Sequence, residues 1–175
     1  MSRLRITTWN INSLNVRLPQ LLDWLQANPV DAIGLQELKL TDDKFPFMEL
    51  EAAGYQAVCH GQKTYNGVAL LSRGDAADVV RNIPGFADEQ ARVIAGTVGG
   101  VRVVGGYFPN GQAPGSEKFI YKMGWLEALE RWLAEDGDAQ ATPRAPLPLD
   151  WADWTEQLLS RLFALLASLE EGLGP

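Results

Sequence analysis

The stretch Arg92-Val93-Ile94-Ala95-Gly96-Thr97-Val98-Gly99-Gly100-Val101-Arg102-Val103-Val104-Gly105-Gly106-Tyr107 decides the fold class. Two runs rich in β-branched residues flank a Gly-Gly pair, the pattern of an antiparallel hairpin closed by a tight turn. Upstream, residues 3–9 read as a strand, and Leu18, Leu21, Leu22 and Leu25 recur at helical spacing until Asn28-Pro29 ends the helix. Residues 32–35 read as a buried strand that stops at Gln36-Glu37. Residues 47–53 form a short helix that Gly54 suits as a C-terminal cap, and residues 55–59 and 68–72 are further strands around a polar loop. Downstream, Phe108-Pro109-Asn110-Gly111-Gln112 leads into a helix over 116–134. Ser116 is its N-cap, and Ile120, Met123, Leu126, Leu129, Trp132 and Leu133 line its apolar face.

Strands, helix and more strands in this order predict an α/β (α+β) domain over residues 1–134. Residues 135–150 contain Pro143, Pro146 and Pro148 and read as an acidic linker. Residues 151–175 return to helical spacing, with Leu158, Leu162, Leu165, Leu166 and Leu169 on a broad stripe, and read as an amphipathic helical tail.

The 175 residues are 46% hydrophobic and 21% charged, which excludes a disordered or fibrous chain. One cysteine, Cys59, excludes an intrachain disulfide framework and a cysteine-based zinc site, and one histidine, His60, excludes a site built on two imidazoles. Cys59 reads as a small core residue and His60 as a structural or surface group. The net charge of −7 speaks at first against nucleic acid. Residues 1–134, however, carry 13 basic against 14 acidic side chains, whereas residues 135–175 carry 2 against 8. The acidity belongs to the tail, and the body is nearly neutral. Neither a signal peptide nor an apolar stretch of membrane-spanning length is visible, so a cytoplasmic protein without membrane association is expected.

Three polar groups stand at the ends of predicted strands: Asn10 with Asn12, Gln36-Glu37, and Tyr107 with Asn110. Strand ends of a layered α/β domain converge on one rim, where sites form. Glu37 is the only carboxylate that directly follows an apolar strand in this way. A lone carboxylate beside amide oxygens suits Mg²⁺, a hard cation that keeps several waters and needs few protein ligands. The plainer alternative makes the asparagines turn formers and Glu37 a solvated strand end.

The segments Thr8-Trp9-Asn10-Ile11-Asn12-Ser13-Leu14, Leu35-Gln36-Glu37-Leu38-Lys39, Tyr65-Asn66-Gly67-Val68-Ala69-Leu70-Leu71-Ser72-Arg73 and Gly106-Tyr107-Phe108-Pro109-Asn110-Gly111 occur in that order. Together with Asp88-Glu89-Gln90-Ala91-Arg92-Val93-Ile94 and Ser116-Glu117-Lys118, this series resembles the exodeoxyribonuclease III family of bacterial DNA-repair nucleases, within the wider endonuclease/exonuclease/phosphatase superfamily. The resemblance covers about residues 4–133. It implies about half of a two-sheet α/β sandwich and an Mg²⁺-dependent nuclease (Mn²⁺ as an alternative ion) acting on abasic sites and 3′ ends of double-stranded DNA. It further implies that Glu37 holds the ion with Asn12 near it, that Asn10 orients the catalytic centre, and that Tyr107 lies against the scissile phosphate with Asn110 on a phosphate. Lys39, Tyr65, Asn66, Arg92 and Lys118 would face the DNA, with Lys63, Arg73 and Lys122 as further basic rim residues.

The same resemblance implies a later Gly-Asp-Phe-Asn segment and a Ser-Asp-His segment, and neither occurs in these 175 residues. An incomplete catalytic set is therefore expected, with about one sheet whose inner face lies open. The helix over 154–173, or pairing with another chain, would then cover that face. The competing readings are a DNA-binding module without turnover and a truncated, inactive product.

Overall fold

The computed structural model describes residues 4–140, with side chains through Asp136. Strand β1 (Ile6–Asn10) runs into helix α1 (Leu14–Ala27), which returns the chain so that β2 (Ala32–Gln36) pairs parallel with β1. A single 3-10 turn at Asp42–Lys44 and helix α2 (Phe47–Ala52) lead to β3 (Gln56–His60). Strand β4 (Val68–Ser72) lies antiparallel between β2 and β3, giving a four-stranded sheet ordered β1-β2-β4-β3. Strands β5 (Ala77–Arg81), β6 (Val93–Val98) and β7 (Val101–Gly106) make a second, antiparallel sheet, and α3 (Glu117–Gln140) follows it.

Side-chain alternation assigns each face. Ile33 and Leu35 of β2 and Ala69 and Leu71 of β4 point to α1 and α2, where they pack with Leu14, Leu21, Leu25 and Leu50. The opposite faces of β2 and β4, through Ala32, Val68 and Leu70, meet Ile94 and Val98 of β6. Val93 and Ala95 turn the other way, onto Trp125, Leu129 and Trp132 of α3. The order of layers is helices, sheet, sheet, helix. Central strands covered on both faces read as uninterrupted apolar runs, which is why every residue of β2 and β4 is buried.

The predicted hairpin is present: Val98 pairs with Val101 across Gly99 and Gly100, whose φ values of 56° and 78° favour glycine. The chain nevertheless builds two sheets rather than the expected one. The hairpin leaves the first sheet and pairs with β5, and these three strands cover the inner face of β2 and β4. What stays uncovered is the row Ile6, Thr8 and Asn10 on β1, with Ile6 48% exposed. Among the described residues β1 pairs only with β2 and β7 only with β6.

Two helix expectations are corrected. The buried face of α3 is Trp125, Leu129 and Trp132, while Ile120 is 65% and Leu133 42% exposed. The large indole faces take the core side and turn Ile120 out to solvent. The helix also runs beyond Ala134 into the predicted linker, where Asp136 accepts from the Arg102 guanidinium of β7 at 2.8 Å. The expected helix over 154–173 and the rest of the linker and tail lie outside the described residues. No helix among the described residues is long and apolar enough to cross a membrane.

The two sheets approach closely at Gly96. A Cβ there would sit 3.1 Å from Ala76 Cβ and 3.3 Å from a Leu70 methyl. Gly96→Val should therefore lose about 1–3 kcal/mol in urea melts, the range for overpacking a filled core.

Candidate active site

Parallel pairing in register, Asn10 against Gln36, brings the carboxyl ends of β1 and β2 side by side. Pairing continues past both strands. Ile11 N–H donates to Gln36 O, Ser13 N–H to Glu37 O and Leu14 N–H to Leu38 O, at 2.7–3.0 Å. On the other side, Leu38 and Lys39 N–H groups donate to Gly67 O and Asn66 O. This double clamp holds a run of non-glycine residues at positive φ: Asn12 at 44°, Ser13 at 84°, Glu37 at 57° and Lys39 at 56°. Such conformations cost on the order of 1–3 kcal/mol each and gather at functional sites.

Their side chains meet at one carboxylate. Asn10 Nδ2 donates to Glu37 Oε1 at 2.7 Å, and the Tyr107 hydroxyl donates to the same oxygen at 3.0 Å. Lys39 Nζ lies 3.1 Å from Glu37 Oε2 and donates to Asn12 Oδ1 at 2.5 Å. Asn10 Oδ1 in turn accepts from Asn12 N–H at 3.2 Å, and Arg17 donates to the Asn12 carbonyl. Tyr107 reaches Glu37 from the second sheet, one residue beyond β7.

The Asn10 amide holds the Glu37 carboxyl below the ordinary carboxylate value, against the opposing effect of partial burial, with Lys39 and Tyr107 adding to the lowering. Burial and the Glu37 charge push the Tyr107 hydroxyl up. A carboxyl held low contributes stability at and above the ordinary carboxylate range, and that contribution disappears as pH falls through the lowered folded value. Melting temperatures measured between about pH 7 and 3 should accordingly fall less steeply for Glu37→Gln than for the parent chain.

The remaining predicted residues fall into other positions. Asn66 is buried, donating to Gln62 Oε1 at 3.0 Å and Gln90 Oε1 at 3.3 Å, and Tyr65 beside it is 69% exposed. Arg92 is buried rather than on a rim, with its guanidinium bonded to Gln90 and to the Tyr107 carbonyl. Asn110 is exposed, and its side-chain oxygen caps Gln112 N–H at 2.9 Å. Lys118 is exposed in the first turn of α3. Neither Asn110 nor Lys118 hydrogen-bonds to the Glu37 cluster. Cys59 is a core residue, its thiol pushed up to about 12 by burial, and half-buried His60 is lowered by burial. Gln62 and Gln90, whose oxygens organise Asn66, Ala91 and Arg92, were given no role in the sequence reading, although Gln90 lies within the Asp88–Ile94 segment.

Among the described residues no three His, Cys, Asp or Glu side chains gather as metal ligands. Glu37 and Asn12 instead offer hard oxygens from one carboxylate and one amide. That donor set fits Mg²⁺ or Mn²⁺ with waters completing the shell, and does not fit a closed zinc site.

A model of the endonuclease/exonuclease/phosphatase family matches residues 7–173. Exodeoxyribonuclease III of Haemophilus influenzae is 35% identical over 141 residues, covering 77% of this chain and 53% of that protein. The structure of the 3′ phosphatase NExo from Neisseria, bound to a product DNA hairpin, is 50% identical with a TM-score of 0.76, over 78% of this chain and 53% of the other. An AP endonuclease from Archaeoglobus fulgidus is 35% identical with a TM-score of 0.72, over 76% and 52%. The chain spans about half the length of these relatives.

Proposed function

Because the chain belongs to the endonuclease/exonuclease/phosphatase family, we propose that its Glu37 cluster is the metal-holding half of a DNA phosphoester hydrolase. Its substrates would be abasic sites and 3′ ends of double-stranded DNA. The observation that carries this reading is the convergence of Asn10, Lys39 and Tyr107 on one carboxylate from two separate sheets. Glu37 and Asn12 would hold Mg²⁺ or Mn²⁺, which supplies charge neutralisation at the phosphoryl oxygens. Asn10 keeps Glu37 oriented and ionised. The Tyr107 hydroxyl is a donor that brings no negative charge to a phosphate. Asn110, Lys39, Tyr65 and Lys118 are assigned to the DNA-facing surface, with buried Asn66 and Arg92 supporting it from behind, and the protein to the cytoplasm. The edges of β1 and β7 that pair with no further strand among the described residues are where a partner chain would complete both sheets and the catalytic set.

Cleavage of an abasic duplex and release of phosphate from a 3′-phosphorylated duplex, in Mg²⁺ and in EDTA, test this reading. Metal-dependent turnover supports it. Salt-dependent binding without turnover selects the second reading, a DNA-binding module.

Lys39 Nζ engages the oxygens of Glu37 and Asn12 that would hold the divalent ion, and so would compete with it. Removing the ammonium in Lys39→Met should tighten Mn²⁺ binding by about tenfold, ~1.4 kcal/mol, in calorimetric titration.

A further inference from the structure

Arg92 is 8% exposed, yet no carboxylate among the described residues forms an ion pair with it. Its Nε and Nη2 donate to Gln90 Oε1 at 3.1 and 2.6 Å, and its Nη1 donates to the Tyr107 carbonyl at 3.1 Å. The guanidinium carbon lies 5.0 Å from the Tyr107 ring centroid and 5.9 Å from that of Tyr121. Asp88, the acidic group nearest this network in its bonding, is committed to Tyr121 Oη at 2.7 Å and to Gln90 N–H at 2.9 Å. Burying a cation on neutral partners carries a desolvation cost of several kcal/mol that an apolar side chain of similar volume would avoid. Simple space filling does not call for arginine here.

The register shows what the arginine does. Val93 pairs with Gly106, so Arg92 stands opposite Tyr107 just past the ends of β6 and β7, and Tyr107 N–H donates to Arg92 O at 2.7 Å. Tyr107 is thereby held at its N–H, its carbonyl and its ring face by one residue, while its hydroxyl meets Glu37 at 3.0 Å. Gln90 Oε1 also accepts from Asn66, and Asn66 O accepts from Lys39 N–H, so the same hub reaches the other flank of the cluster. We propose that Arg92 is a positioning residue, a flat cation braced by Gln90 that fixes the Tyr107 ring and so the placement of its hydroxyl on Glu37. The proposal deepens the reading of Tyr107 as a phosphate-facing donor and rests on it for its functional meaning. It differs from a phosphate-contacting role for Arg92, because the donors of this guanidinium are directed inward.

The test is ¹⁹F NMR of the full chain labelled with fluorotyrosine, with Tyr107→Phe assigning the resonance. It needs neither DNA nor metal, so a chain without turnover still tests the proposal. In Arg92→Met the Tyr107 resonance should move toward that of exposed Tyr65, while that of Tyr55, bonded to Val30, stays in place. Arg92→Lys retains the charge but not the planar fork, and should shift Tyr107 without rescue. This second variant also guards against failure of the methionine variant to fold. An unchanged Tyr107 resonance in either folded variant, or full rescue by lysine, overturns the proposal.

Discussion

On the proposed function, Glu37→Gln is expected to lower metal-dependent cleavage at abasic sites or 3′ ends by at least about a hundredfold, while changing stability by less than about 1 kcal/mol. The substitution keeps the shape of the side chain and an oxygen able to accept from Asn10 Nδ2 and Tyr107 Oη, now 2.7 and 3.0 Å from Glu37 Oε1. It removes the single negative charge among the cluster's side chains, and with it the counter-charge of Lys39 Nζ at 3.1 Å. A loss confined to function is therefore expected. Single-turnover cleavage with Mg²⁺ varied, alongside thermal melts, separates the two quantities. Equal rates in parent and variant would remove Glu37 from the centre of the proposed site.

Trp125→Ala should have the largest effect on stability, about 3–5 kcal/mol in chemical denaturation, enough to unfold a marginal domain. The indole is 1% exposed and anchors α3 on Val93 and Ala95 of β6, together with buried Leu129 and Trp132. It also stacks edge-on against Phe108, ring centroids 5.1 Å apart, immediately after Tyr107. Loss of this residue should thus loosen the Tyr107 segment as well as the helix. Hydrogen exchange that rises in α3 and at Tyr107 before it rises in α1 would show this. A variant as stable as the parent would mean that α3 contributes little to the packing of the second sheet.

Much of the site was legible because its residues sit at strand ends, where sequence marks them as polar groups terminating apolar runs. Asn10, Asn12, Glu37 and Tyr107 are read that way, whereas Lys39 is read only as a DNA-facing basic residue, and the structure brings all five into one bonded cluster. The second sheet was less legible. Strand β5 is short, carries Asp78 at positive φ, and loses register between Ala77 and Val80, so it presents no clean alternation. The face of α3 was read in part: Leu129 and Trp132 are buried as expected, while Trp125, the largest side chain of that core, was passed over. Arg92 read as a surface charge since local sequence gives no hint that Gln90, Tyr107 and Tyr121 close around it. Burial of that kind is decided by contacts distant in sequence, which periodicity does not encode.

The bond from Tyr107 to Glu37 joins residues 70 positions apart, whereas Asn10 and Glu37 are separated by 27. Loop-closure entropy makes the longer connection the later one to form. The first sheet can assemble with Asn10 already on Glu37 while the hairpin that delivers Tyr107 is still undocked. In time-resolved refolding, the cluster should therefore mature in two stages, the tyrosine arriving after the carboxylate is in place. The assembly that gives this rim its chemistry would then be among the last events of folding and among the first contacts released on local opening.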